Sequence, residues 1–267
     1  MQVDSMDDDL RNGLWNALTV CCWPDWANET FIPYDCYRFL KMLWMTHFKQ
    51  RLDELPEQCD TSTISCSLSD HFFNCKWYEV YDFLEFVAQR FPTDACQCDG
   101  HFRDECNYIL EREMSAYRFV NGEITRITSE EEIESIETAT SEKSPSPVRL
   151  HLQRALELLS DRQSPDYRNS IKESISAVES LAAKIVGEPK ATLGQALKKL
   201  DDKVDLHSAL KEAFSKLYGY TSDANGIRHS MLDEPNLSFE DAKYMLVSCS
   251  AFVNYLTTKA ANAGLEI

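Results

Sequence analysis

Apolar residues return at three- and four-residue steps along most of the chain, the period of a helix with one buried face. A first candidate helix spans Asp9 to Cys22. Pro33 then stands at a first helical position, ahead of Tyr34, Tyr37, Phe39, Leu40, Leu43, Trp44, Phe48 and Leu52, a set that ends before Pro56. Ser69 is placed to cap a second long helix, with Phe72, Phe73, Trp77, Tyr78, Val80, Tyr81, Leu84, Phe86 and Val87 on a wide aromatic stripe that stops at Pro92. Stripes at this spacing are core more often than ligand cradle. A third helix is expected from about His101 to Ser115.

One segment alternates instead. Ala116 to Ile127 holds two short runs around Asn121-Gly122, and a type I′ turn needs positive φ at both central residues, so a β-hairpin is expected. Ser129 with Glu132 makes a capping box for a helix through Ile133 and Ile136. Helical signals then continue: Val148 to Leu159, and a helix begun by Ser164-Pro165 in which Ile171, Ile175, Val178, Leu181, Ala182 and Ile185 form a stripe stopping at Gly187. Thr192 to Gln195 caps a short helix to Leu200, Asp205 caps Leu206 to Tyr218 with Gly219 closing it, and Ser238 opens a long last helix through Leu256.

Composition narrows this to a mainly α protein: a helical N-terminal domain with one hairpin, followed by a helical bundle. Among 267 residues, 8 Gly and 9 Pro are too few for the turns of a many-stranded sandwich or barrel. No apolar run nears the roughly 18 to 20 residues that cross a bilayer. Met1 to Leu10 carries four aspartates where a secretory signal has positive charge, so a cytoplasmic protein with no membrane partner is expected. The net charge of -17 excludes a non-specific nucleic-acid coat.

That charge is uneven. Residues 1 to 143 hold 12 Lys/Arg against 28 Asp/Glu, and residues 144 to 267 hold 15 against 16, which points to two domains. The small polar stretch Thr138 to Pro147 marks the junction. The expected division is an acidic domain over 1–140, a linker over 141–147 and a helical domain over 148–267.

Nine of the ten cysteines precede residue 107, and without a secretory signal they are expected as free thiols. Cys96, Cys98, His101 and Cys106 have the donor types for zinc, but their spacing matches none of the common structural sites, so no metal is assigned and incidental thiols are the competing reading. Glu111 and Glu113 diverge by about 200° on a helix, which suits a solvated face or a contact to Arg118 better than paired catalysis. The segment Tyr218 to Ser230 places Arg228 beside His229: a guanidinium can hold a phosphate by two parallel bonds and an imidazole can move a proton near neutral pH. A helix N-terminus decorated with polar caps is the plainer reading of the same residues.

Two resemblances bear on this. Trp77 to Phe86, Asn107 to Glu113, Ser115 to Phe119 and Ile127 to Ser129 resemble the accessory N-terminal domain of AbiJ-type abortive-infection proteins, over roughly residues 30 to 140. Tyr167 to Glu179 and Gly226-Ile227-Arg228-His229 resemble the HEPN (higher eukaryotes and prokaryotes nucleotide-binding) domain, over 148 to 262. The second resemblance implies a homodimer that cleaves RNA without metal or other cofactor. His229 would shuttle the proton, Arg228 would stabilise phosphate charge, and Glu179 and Ser222 would orient the imidazole. That family's signature sets an Arg and a His with four to six residues between them, and at the positions that could hold that Arg before His229 this chain has Ser222, Asp223 and Ala224. The alternative is therefore a non-catalytic dimerisation module whose acidic N-terminal domain holds a basic protein partner.

Overall fold

In the computed structural model of the protein, residues 1–23, 30–92, 101–200, 203–222 and 237–267 are described. They form eleven α-helices and one two-stranded hairpin, grouped into two compact units, Met1–Arg126 and Ile127–Ile267. None of the described helices is long and apolar enough to cross a membrane.

The first unit is built from α1 (Asp8–Cys21), α2 (Tyr34–Met42), α3 (Thr61–Asn74), α4 (Trp77–Arg90), α5 (Phe102–Arg112) and the hairpin β1 (Arg118–Val120) with β2 (Glu123–Thr125). Asp7 caps α1 by accepting the Leu10 N–H at 2.9 Å, and Leu10, Leu14, Ala17, Leu18 and Cys21 turn inward at helical spacing. The hairpin turns as its dipeptide demands, with φ of 48° at Asn121 and 94° at Gly122 and Val120 opposite Glu123. Its Phe119 and Ile124 are buried with the helices, and of the expected aromatic stripe Phe72, Val80, Tyr81, Leu84 and Val87 are core, whereas Phe73 is exposed.

Two helices differ from the expectation. The run from Pro33 does not continue to Leu52: after α2 the backbone widens into a π turn over Leu43–His47, with the Phe48 N–H donating to the Leu43 carbonyl, and Lys49 at φ 54° ends it. The wider turn sets Trp44 edge-on to Phe48, with ring centroids 5.2 Å apart. The stripe begun near Ser69 belongs to two helices. Asp60 caps α3, which stops at Cys75, and α4 restarts with the Glu79 carboxylate accepting the Lys76 N–H at 2.7 Å. Arg11 of α1 donates to the Phe72 and Cys75 carbonyls at 2.6 and 3.0 Å, supplying the partners that the interrupted helix lacks.

The second unit holds α6 (Glu130–Thr140), α7 (Ser146–Ser160), α8 (Tyr167–Val186), α9 (Leu193–Lys199), α10 (Ser208–Ser222) and α11 (Phe239–Asn262). All six residues of the expected α8 stripe are buried, as are Met245, Leu246, Cys249, Phe252, Val253 and Leu256 of α11. Asp166, rather than Ser164, caps α8 by accepting the Asn169 N–H. Gly187 ends it in the left-handed region, where a side chain would be strained. Ser170, fully buried, donates to the Ala155 carbonyl of α7 at 2.8 Å and fixes that helix pair. α6 packs within this bundle, against α11 and α7: Ile136 and Ala139 are buried, Lys243 pairs with Glu132 at 2.6 Å, and Asn254 donates to the Ser135 carbonyl.

Candidate functional site

The polar face of α8 borders a groove of about 680 Å³. Because α8 buries its Ile/Val/Leu stripe against α7 and α11, the residues offset from that stripe, Arg168, Asn169, Lys172, Ser176, Glu179 and Ser180, line the open side. His151 enters from α7, and Pro189, Lys190 and Ala191 close the far end from the connection that follows Gly187. Three cations therefore face one lining carboxylate, Glu179. The His151 ring is held by Glu173, whose Oε2 lies 2.6 Å from Nδ1 with both side chains partly exposed. A carboxylate on Nδ1 fixes the ring's orientation and leaves Nε2 as its second polar atom. Among the described residues Nε2 has no hydrogen-bond partner.

Of the residues singled out in the sequence, Glu179 lies in this groove. Ser222 is the last residue of α10, and its side chain is outside the described part, while Arg228 and His229 lie outside the described residues. The chain re-enters the described region just ahead of Ser238, which caps α11 in a reciprocal capping box with Asp241. The next residue, Phe239, has its ring centroid 6.4 Å from that of Tyr167, the first residue of α8. The start of α11 thus stands at the end of α8 where Arg168 lines the groove. His151, Lys172 and Lys190 were missed by motif reading, since no spacing rule joins two helices and a loop.

The cysteine cluster behaves differently. Cys96 and Cys98 lie outside the described residues. His101 is exposed with Nδ1 2.9 Å from Asp104, whereas Cys106 is fully buried, so the two do not share a face. Among the described residues no three His, Cys, Asp or Glu side chains are grouped to hold a metal ion. Burial raises the thiols of Cys36 to about 11 and of Cys249 to about 12, and lifts Cys106 well above the ordinary range, which makes them poor nucleophiles. Cys21 is disulfide-bonded, a departure from the expectation of free thiols throughout. Glu113 bonds Arg112 at 2.6 Å, and Glu111 acts electrostatically on Arg118, in keeping with structural roles.

Fold and groove together define a mainly helical protein in which a hairpin-bearing acidic unit precedes an antiparallel bundle with a cationic face. The model of the family described as AbiJ N-terminal domain 4 matches residues 1–142, more than half of the chain, and the chain belongs to that family of abortive-infection proteins. No curated protein and no solved structure is detectably similar to it.

Proposed function

We propose that this abortive-infection protein is a phage-defence effector whose second unit is a HEPN-like domain that cleaves RNA without a metal. The observation that carries this reading is the polar groove on α8, with Glu179 on it, at whose Arg168 end α11 begins. In chain order Arg228 and His229 come shortly before that helix. The 2′-hydroxyl of RNA attacks the adjacent phosphorus and forms a cyclic phosphate, while the 5′-oxygen leaves. His229 takes the hydroxyl proton and returns one to the leaving oxygen, and Arg228 offsets the charge that builds on the phosphate. Glu179 and Ser222 are assigned to orienting the imidazole. A homodimer, with cellular or phage RNA as substrate, completes the reading: without an Arg at 222 to 224, a second copy can supply a cation that one copy lacks.

The same departure favours a second reading, in which the bundle is a non-catalytic dimerisation module and the acidic first unit holds a basic protein. Induction of the wild type and of His229→Ala in growing cells separates the two. Growth arrest by the wild type alone supports the effector reading, and equal behaviour of the two at equal protein level supports the module.

A further inference from the structure

Cations are scarce in this chain, 27 against 44 carboxylates, and several in the second unit are already paired with one. Arg154 meets Glu157, Lys199 meets Glu188, Lys216 meets Glu212, Lys243 meets Glu132 and Lys259 meets Asp205. Lys172 and Lys190 differ from these: both line the α8 groove, and among the described residues neither has an ion-pair partner. Lys198, also without such a partner, lines the adjoining hollow that shares Pro189, Lys190 and Ala191 with the groove. With carboxylates in excess, unpaired ammonium groups turned to one concave face leave an uncompensated positive field there.

We propose that this groove is a binding site for a phosphate ester. Lys172 and Lys190 supply the charge from two different elements. His151, its Nδ1 occupied by Glu173, presents Nε2 as a hydrogen-bonding group, and the Ser176 and Ser180 hydroxyls lie along the same wall. A volume of about 680 Å³ accommodates a nucleotide or a short piece of RNA backbone. A cation is the wrong occupant, because Glu179 is the one carboxylate on the lining and three positive side chains face it. The RNA form of the ligand rests on the RNA-cleaving reading, whereas the site itself does not.

The test uses the full chain with two probes, a labelled 12-nucleotide single-stranded RNA followed by fluorescence anisotropy and ATP followed by calorimetry. Lys172→Ala/Lys190→Ala removes two exposed side chains, so its melting curve should match the wild type. Binding should weaken at least tenfold, and for RNA the slope of log affinity against log salt should become shallower by about 1.4. His151→Ala should weaken binding of the same probe. Binding of ATP alone assigns the site to a free nucleotide, and RNA binding that ATP does not displace assigns it to a strand. If neither probe binds, or the double variant binds like the wild type, the site is overturned. Cleavage that persists with unchanged binding in the double variant overturns the site and spares the RNA-cleaving reading. Binding lost in the double variant, by a wild type that never cuts, does the reverse.

Discussion

His47 ends the π turn that follows α2, and its ring is packed among Phe48, His71, Phe83 and Phe86. Burial, with the neighbouring His71 adding to it, lowers its pKa from 6.5 to about 4, against smaller opposing effects of Asp82 and Glu79. The folded protein therefore resists a proton that the unfolded chain accepts. Stability contributed by the neutral ring is whole above pH 6.5 and is lost as pH falls toward 4. His71 is lowered too, chiefly by burial, and works in the same direction. The urea midpoint of the full chain is expected to drop between pH 7.5 and pH 5, and to drop less in His47→Phe; an equal drop in both would remove His47 as a source. At this scale the sequence was legible where one residue has one local duty. Asn121-Gly122, Gly187, the Ser129, Thr192 and Ser238 caps and the α8 stripe all read correctly, because each follows from backbone geometry within a few residues. The π turn was not legible, since it goes with the packing of Trp44 and Phe48 in the finished core, which local periodicity does not carry.

Among the helices, the misread boundary at Cys75 has a similar origin. The aromatic period runs through the break from Phe72 to Trp77 almost without interruption, and the carbonyls left open there are satisfied by Arg11, more than sixty residues away. Long-range partners leave no mark on local periodicity. α6 makes the same point with a consequence. The family match runs through it to residue 142, yet α6 packs with α7 and α11 in the second unit, and the residues from Ser141 to Pro145 form a short turn between α6 and α7. A fragment of residues 127–267 keeps the Lys243–Glu132 pair, the Asn254 bond and the buried Ile136 and Ala139, whereas one starting at residue 143 exposes the surface that they cover. The longer fragment should be the more stable, by several kcal/mol on loss of two buried side chains and their partners (about 2–5 kcal/mol for one large aliphatic). Chemical denaturation of both fragments checks this, and equal midpoints would show that α6 is an appendage.

For the whole molecule, α6 changes the charge map. Divided by compact unit, Met1–Arg126 carries 11 Lys/Arg against 22 Asp/Glu and Ile127–Ile267 carries 16 against 22. The second unit is therefore acidic as well, and its capacity for a polyanion depends on where the cations lie rather than on their number. The α8 groove concentrates them: Arg168 and Lys172 stand one turn apart on α8, and Lys190 comes from the connection after Gly187. Glu179, named in the sequence as a candidate to orient an imidazole, lines this groove, while His151 joins it only because α7 and α8 lie side by side, which no local pattern records. The central claim, that this abortive-infection protein cuts RNA with an imidazole and no metal, is tested most directly by incubating the purified full chain with labelled RNA in excess EDTA. The account predicts cleavage to products ending in 2′,3′-cyclic phosphate, abolished by His229→Ala while RNA binding persists. RNA left intact by the wild type, or cut equally well by the variant, would contradict it.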